Sequence, residues 1–234
     1  MANIAIVYYS AYGHVFEMAS AAAEGVLGAG DHQVRVVRIP ELLSIENRTA
    51  YQDRPKAGGE ELKEEAGLAG RFRVGARWEK YEAAQDRQKD IPQATNQDLR
   101  WADGIVWGFP TYYGMMPAQV KLFLDFAGKL CSEGELEGKP TGVMTSAGSI
   151  HTGHEATILT SIVPLLHFGM VYVGLPYSQN PEYLTAEPIG GSPYGPSTLA
   201  GPDSSRIPEE RELVLAARLG ARVARFAEAT KDIK

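Results

Sequence analysis

Three short stretches of this chain combine hydroxyls, aromatic rings and glycine in a way that suits a phosphorylated aromatic ligand. The first is Ser10-Ala-Tyr-Gly-His-Val15, the second Pro110-Thr-Tyr-Tyr-Gly114, and the third runs from Ser146-Ala-Gly-Ser149 to Gly153. The first follows an apolar run, Asn3 to Tyr9, turns through Gly13 and enters a helical pattern at about His14. A strand, a tight loop and a helix start in that order present free backbone N–H groups and the positive end of a helix dipole to one point, an anion site. The hydroxyls of Ser10 and Tyr12 add donors. The second stretch offers two aromatic rings and a glycine that lets backbone approach a flat ligand. The third offers small residues and N–H groups at another helix start.

The elements that position these stretches alternate between two periods. Phe16, Ala19, Ala23, Val26 and Leu27 recur at helical spacing, and Gly28 and Gly30 close that helix. Val34, Val36 and Val37 alternate with Arg35 and Arg38 in a strand near a sheet edge. Asp103 to Phe109 reads as a buried strand ending at Pro110, and Met116 to Phe126 as a helix. Pro140 to Ser146 is the next strand. Glu155 to Leu166 is a helix that Pro164 is expected to kink or end early. Met170 to Leu175 is the last strand. Residues 176–206 form a long Pro-, Gly- and Ser-rich stretch, a length usually reserved for function or an interface. Pro208, Glu209 and Glu210 open a final helix whose Leu213, Ala217, Gly220, Val223, Ala224 and Ala227 are expected to share a face.

Five strands alternating with helices specify an α/β fold, a parallel sheet covered on both sides. In such a sheet, ligands sit beyond the C-terminal strand ends at the switch in strand order, where all three stretches fall. Phosphate donors beside a slot for a flat heteroaromatic ring describe a site for flavin mononucleotide, FMN.

The remaining composition narrows the class. The 234 residues are expected to form a single domain, interrupted by a charged surface insertion at about 44–97, with helix expected at 60–69. Phe72, Val74, Trp78 and Tyr81 in that insertion need a surface to pack on. A net charge of −6 and a pI near 5.5 exclude a general basic footprint for nucleic acid. The single cysteine, Cys131, excludes an internal disulfide and fits a reducing compartment. The apolar run from Ile162 to Leu175 is short and interrupted, so a cytoplasmic protein without a transmembrane segment is expected. His151 and His154 lack a supporting ligand set, and a metal site is not expected.

The same stretches resemble the flavodoxin-like WrbA family, FMN-dependent NAD(P)H:quinone oxidoreductases first named as tryptophan-repressor-binding proteins. The resemblance lies in Tyr8-Tyr-Ser-Ala-Tyr-Gly-His14, Gly108-Phe-Pro-Thr-Tyr-Tyr-Gly-Met-Met-Pro117, Leu122-Phe-Leu-Asp125, His167-Phe-Gly-Met-Val171 and Gly190 to Gly201. It implies a five-stranded parallel sheet in the order 2-1-3-4-5. It places the FMN phosphate on Ser10, Ala11, Tyr12, Gly13, His14 and Val15. The flavin ring falls between Pro110, Thr111, Tyr112, Tyr113 and Gly114 on one side and Ser146, Ala147, Gly148, Ser149 and Gly153 on the other.

By the same resemblance, His167 is the active-site histidine beside the flavin and Tyr12 lies where the nicotinamide nucleotide binds. Cys131 stands where the family has a tryptophan over the substrate pocket. The implied reaction passes two electrons from NADH or NADPH through FMN to a quinone by a ping-pong mechanism, in a homotetramer with shared active sites. The alternatives are a one-electron carrier of the flavodoxin type and a protein-binding partner of a transcriptional repressor, acting without direct nucleic-acid contact.

Overall fold

The computed structural model describes residues 1–41 and 74–231, with side chains from residue 79 onward in the second stretch. The helix expected at 60–69, Phe72 and the side chains of Val74 and Trp78 lie outside the described residues. β1 (Asn3–Tyr8) is an interior strand and is buried along almost its whole length. Its alternation sorts side chains to two faces. Ala5, Val7 and Tyr9 join one apolar cluster, while Ile4, Ile6 and Tyr8 join the other. β2 (Gln33–Arg38) and β3 (Gly104–Pro110) flank β1 in parallel, and β4 (Pro140–Ala147) pairs with β3. With β5 (Val171–Tyr172) the order is 2-1-3-4-5, as expected of the flavodoxin-like fold.

The last strand differs from the sequence reading. Instead of one strand over Met170–Leu175, two short segments share the outer edge of β4. β5 pairs with Pro140 and Thr141, and the Val173 amide donates to Thr141 O at 2.7 Å. The chain then departs through two 3-10 turns, Tyr177–Gln179 and Pro181–Tyr183. It returns as β6 (Ser197–Leu199), parallel to β4 at Thr145–Ala147. The long Pro- and Gly-rich stretch thus ends inside the sheet, at the C-terminal end of β4.

Two helical layers cover the sheet. α1 (His14–Gly28) and the final helix, here α7 (Glu210–Thr230), pack on the Ile4–Ile6–Tyr8 side. In α7 the buried stripe is Leu215, Ala216, Leu219, Gly220, Val223, Ala224 and Ala227; Leu213 and Ala217 are half-buried at its margin. α2 (Val74–Arg87) and α3 (Asn96–Trp101) fall in the expected insertion or at its end. α4 (Ala118–Phe126), α5 (Gly128–Ser132) and α6 (His154–His167) cover the opposite face. Pro164 neither ends nor shortens α6, which continues to His167. It sits in the last turn, where the missing N–H costs a single helical bond at the frayed end.

Among the described residues, no helix is long and apolar enough to cross a membrane.

α1 and α7 interlock without side chains at their crossing. A Cβ on Gly25 would overlap Ala217 O, and one on Gly220 would overlap Ala22 O. Because α1 begins at the first loop, this contact sets where that loop sits. Gly220→Ala should therefore lower the unfolding free energy by roughly 1–3 kcal/mol through overpacking, read as a fall in the urea midpoint at unchanged slope. An unchanged midpoint would show that the helices separate freely.

Candidate functional site

The C-terminal ends of β1, β3 and β4 open into one cavity of about 810 Å³, within the size range of cofactor sites. Its lining brings together Ser10, Ala11, Tyr12, His14 and Val15 from the first loop. Pro110, Thr111, Tyr112, Tyr113 and Gly114 come from the second, and Ser146, Ala147, Gly148, Ser149 and Gly153 from the third. Gly13 is the turn behind the lining. It adopts φ 93°, a left-handed conformation that suits glycine, and its N–H donates to Ser10 Oγ at 3.1 Å. No side chain caps α1. Among the described residues the amides of Ala11 and Tyr12 meet no acceptor, and the opening amides of α1 have no intrahelical acceptor by construction. The cradle therefore holds spare donors and a helix dipole, which fits a phosphate.

Among the described residues, no lysine or arginine lines the cavity. His14 supplies no charge either. Its Nε2 lies 2.8 Å from Arg206 O, and burial pushes its pKa down, so the ring is neutral at pH 7 and donates through Nε2–H.

The second loop is a tight hairpin. Tyr112 and Met115 exchange both backbone hydrogen bonds, at 2.9 and 3.1 Å, around Tyr113 at φ 55° and Gly114 at φ 79°. Two positive φ values give the type I′ pattern, which strains a tyrosine and holds the Tyr113 ring fully in solvent at the rim. The Tyr112 ring meets Tyr9 edge-on, with centroids 6.5 Å apart. Tyr9 in turn donates to Glu41 Oε2 at 2.8 Å, and burial raises its pKa. The second and third loops touch at Gly153, where a Cβ would come 2.9 Å from Thr111 Oγ1. Thr157 Oγ1 donates to the same Thr111 Oγ1 at 2.5 Å. Ser149 and Thr152 close the third loop on itself, with Thr152 Oγ1 donating to Ser149 O at 2.9 Å.

The sequence reading missed two parts of the site. Thr152, Ala200, Gly201, Pro202 and Ser204 also line the cavity. Residues 200–204 follow β6, and their signal was the long loop ending in Gly190–Gly201. The other is a support rather than a lining: Gln85 on α2 and Gln88, the residue just past its end, reach the first loop from outside the cavity. High charge hid it. Ala84 and Gln88 are buried and Tyr81 packs on the core, so this end of the insertion does more than lie on the surface.

Two expected site residues stand elsewhere in the chain. His167 is the last residue of α6, a helix that starts at the cavity and spans ~20 Å. It is exposed at the opposite end of the sheet, where Cys131 Sγ lies 3.4 Å from His167 O. The two are neighbours of each other, and neither lines the cavity of its own chain.

The wall at 199–206 depends on Glu212, a fully buried carboxylate in the first turn of α7. It accepts from the amides of Gly190 (2.8 Å) and Glu209 (2.9 Å), from Thr198 Oγ1 (2.7 Å) and from Arg206 Nη1 (2.9 Å). Removing one partner of a buried pair leaves the other charge uncompensated. Glu212→Ala should lower stability by about 3–5 kcal/mol in denaturant titration, and Glu212→Gln, which keeps the shape, by less. Equal and small losses would show that the carboxylate charge is not what holds this wall.

The profile of a family described as NADPH-dependent FMN reductase matches residues 16–183. A protein named NAD(P)H dehydrogenase (quinone) from Aromatoleum aromaticum is 38% identical over 227 residues, 97% of this chain and 96% of that one. One of the same name from Trichlorobacter lovleyi is 40% identical, covering 97% of each. Quinone-oxidoreductase QR2 of Triphysaria versicolor is 37% identical over 99% of this chain and 97% of its own. Among solved structures, the flavodoxin, WrbA-like protein from Agrobacterium tumefaciens superimposes with a TM-score of 0.58 at 21% identity, covering 98% of this chain and 99% of that one. That likeness concerns the fold. With the profile spanning most of the sheet and full-length relatives near 40% identity, this chain belongs to the NADPH-dependent FMN reductase family.

Proposed function

We propose that this chain is an FMN-dependent NAD(P)H:quinone oxidoreductase. The observation that carries the reading is the single cavity beyond β1, β3 and β4, with spare phosphate donors at one end and aromatic rings at the other. Full-length relatives named NAD(P)H dehydrogenase (quinone) support it. When bound, FMN would supply the redox chemistry that couples NAD(P)H oxidation to two-electron reduction of a quinone. The first loop holds the phosphate on amides of residues 11–15, with Ser10 shaping the turn. Thr111–Tyr113 and Ser146–Gly153 flank the ring, and their N–H groups favour negative charge on its polar edge. Tyr12, at the cavity wall, borders the nicotinamide nucleotide.

The protein acts as a homotetramer in this reading, and His167 and Cys131 serve the cavity of a neighbouring copy. Their distance from their own cavity supports this arrangement. So does the apolar surface left on the helices beside them: Leu122 and Phe126 on α4, and Leu159, Val163 and Leu166 on α6, are all exposed. At that neighbouring cavity His167 would donate a proton to the quinone oxygen as charge develops on it. The balance is one hydride from NAD(P)H and one proton from the protein side, giving NAD(P)+ and the hydroquinone.

Both substrates then share one site in turn. Initial rates against NADH at several fixed quinone concentrations should give parallel double-reciprocal lines, and intersecting lines would overturn the shared site. His167→Gln should slow the quinone half-reaction by on the order of 10²-fold and leave the NADH half-reaction near its original rate.

A further inference from the structure

A cavity that must hold a phosphate without a cation depends on the direction of its peptide N–H groups. In a trans peptide the C=O and the following N–H point opposite ways. The Ser10 carbonyl and the Ala11 N–H are one such unit, and the Ala11 carbonyl and the Tyr12 N–H are the next. Both carbonyls are held from outside the cavity by α2. Gln85 Nε2 donates to Ser10 O at 3.1 Å and to Ala11 O at 3.2 Å, using both hydrogens of its amide. Gln88, fully buried, donates from Nε2 to Ala84 O at 2.7 Å and to Ser10 O at 3.4 Å.

We infer that Gln85 and Gln88 are positioning residues for the flavin phosphate: by holding the Ser10 and Ala11 carbonyls toward α2, they aim the Ala11 and Tyr12 N–H groups into the cavity. If those peptides turned over, two carbonyl oxygens would face the phosphate in place of two donors. The rest of α2 keeps the glutamines in place. Lys80 Nζ donates to Asp203 O at 2.8 Å on the far wall, and Arg87 pairs with Glu17 in the first turn of α1. Both pairs are exposed and contribute little energy themselves. They register the helix across the phosphate end. α2 thus turns part of a charged insertion into the back of the anion site.

This inference rests on the reading that the first loop takes the phosphate, and the test separates the two. Deflavinated full-length protein is titrated with FMN and with riboflavin, which lacks the phosphate, following quenching of flavin fluorescence. Wild type should bind FMN more tightly than riboflavin. Gln85→Met, half-buried and close in shape, should weaken FMN roughly tenfold, the worth of one misdirected donor to a charged acceptor. Riboflavin affinity should stay within about twofold, which also shows that the variant is folded. Gln85→Glu, with an acceptor in place of the donor, should fall at least as far for FMN.

Wild type that does not distinguish FMN from riboflavin would overturn the phosphate reading of the loop, and this inference with it. Wild type that distinguishes them, beside a Gln85→Met that does so equally well, would overturn the inference alone. Parallel loss of both ligands would also overturn it, since the glutamine would then only support the fold.

Discussion

The buried carboxylate of Glu212 is the interaction on which the geometry of the site most depends. A charge without water must be compensated by donors, and here four parts of the chain supply them: the Gly190 turn, β6, Arg206 and the start of α7. Arg206 then donates to Leu199 O at 2.7 Å, and its own carbonyl lies 2.8 Å from His14 Nε2. A single network therefore runs from the last helix through the 199–206 wall to the first turn of α1. It explains how a segment without regular structure over most of its length can form one side of a cavity. It also explains how that side keeps its distance from the first loop.

The fold was legible because the sheet uses continuous apolar strands of two-residue period. Asn3–Tyr9, Asp103–Phe109 and Pro140–Ser146 could be placed to within a residue or two. The cavity was legible for the same reason, since loops that follow parallel strands gather at one end. The outer edge was less so. Val171–Tyr172 and Ser197–Leu199 share one strand position, and no local pattern announces that two pieces separated by a long excursion complete one edge. Pro164 was over-read, because its cost depends on how many turns follow it.

α2 and the 200–204 wall were missed for a different reason. Charge density marks a helix as solvated, but only one of its faces needs to be. Ala84 on α2 and Gln88 just past its end, four residues apart, are buried on one side, while Glu82, Ala83, Asp86 and Arg87 are exposed. A buried glutamine whose amide satisfies main-chain carbonyls looks in sequence like any surface glutamine. The resemblance pointed to His167 and Cys131, which lie side by side, with Cys131 Sγ 3.4 Å from His167 O. Their place relative to the cavity, though, is not a property of one chain's sequence pattern.

Two loops of the cavity and the wall after β6 are each held from behind by a polar side chain that does not line it. Gln85 holds the first loop, Thr157 the second through Thr111, and Glu212 the wall after β6. That arrangement follows from the choice of donors. A lysine or arginine would carry its own charge to the phosphate and tolerate imprecision, because a point charge attracts over several ångströms. A peptide N–H contributes only when it is aimed. If the first loop takes an anion on backbone donors, as proposed, a chain of net charge −6 must use side chains to orient them, on the far side of the peptides. On the proposed reading, a substitution at Gln85, which touches no ligand, should alter binding by redirecting the donors that do.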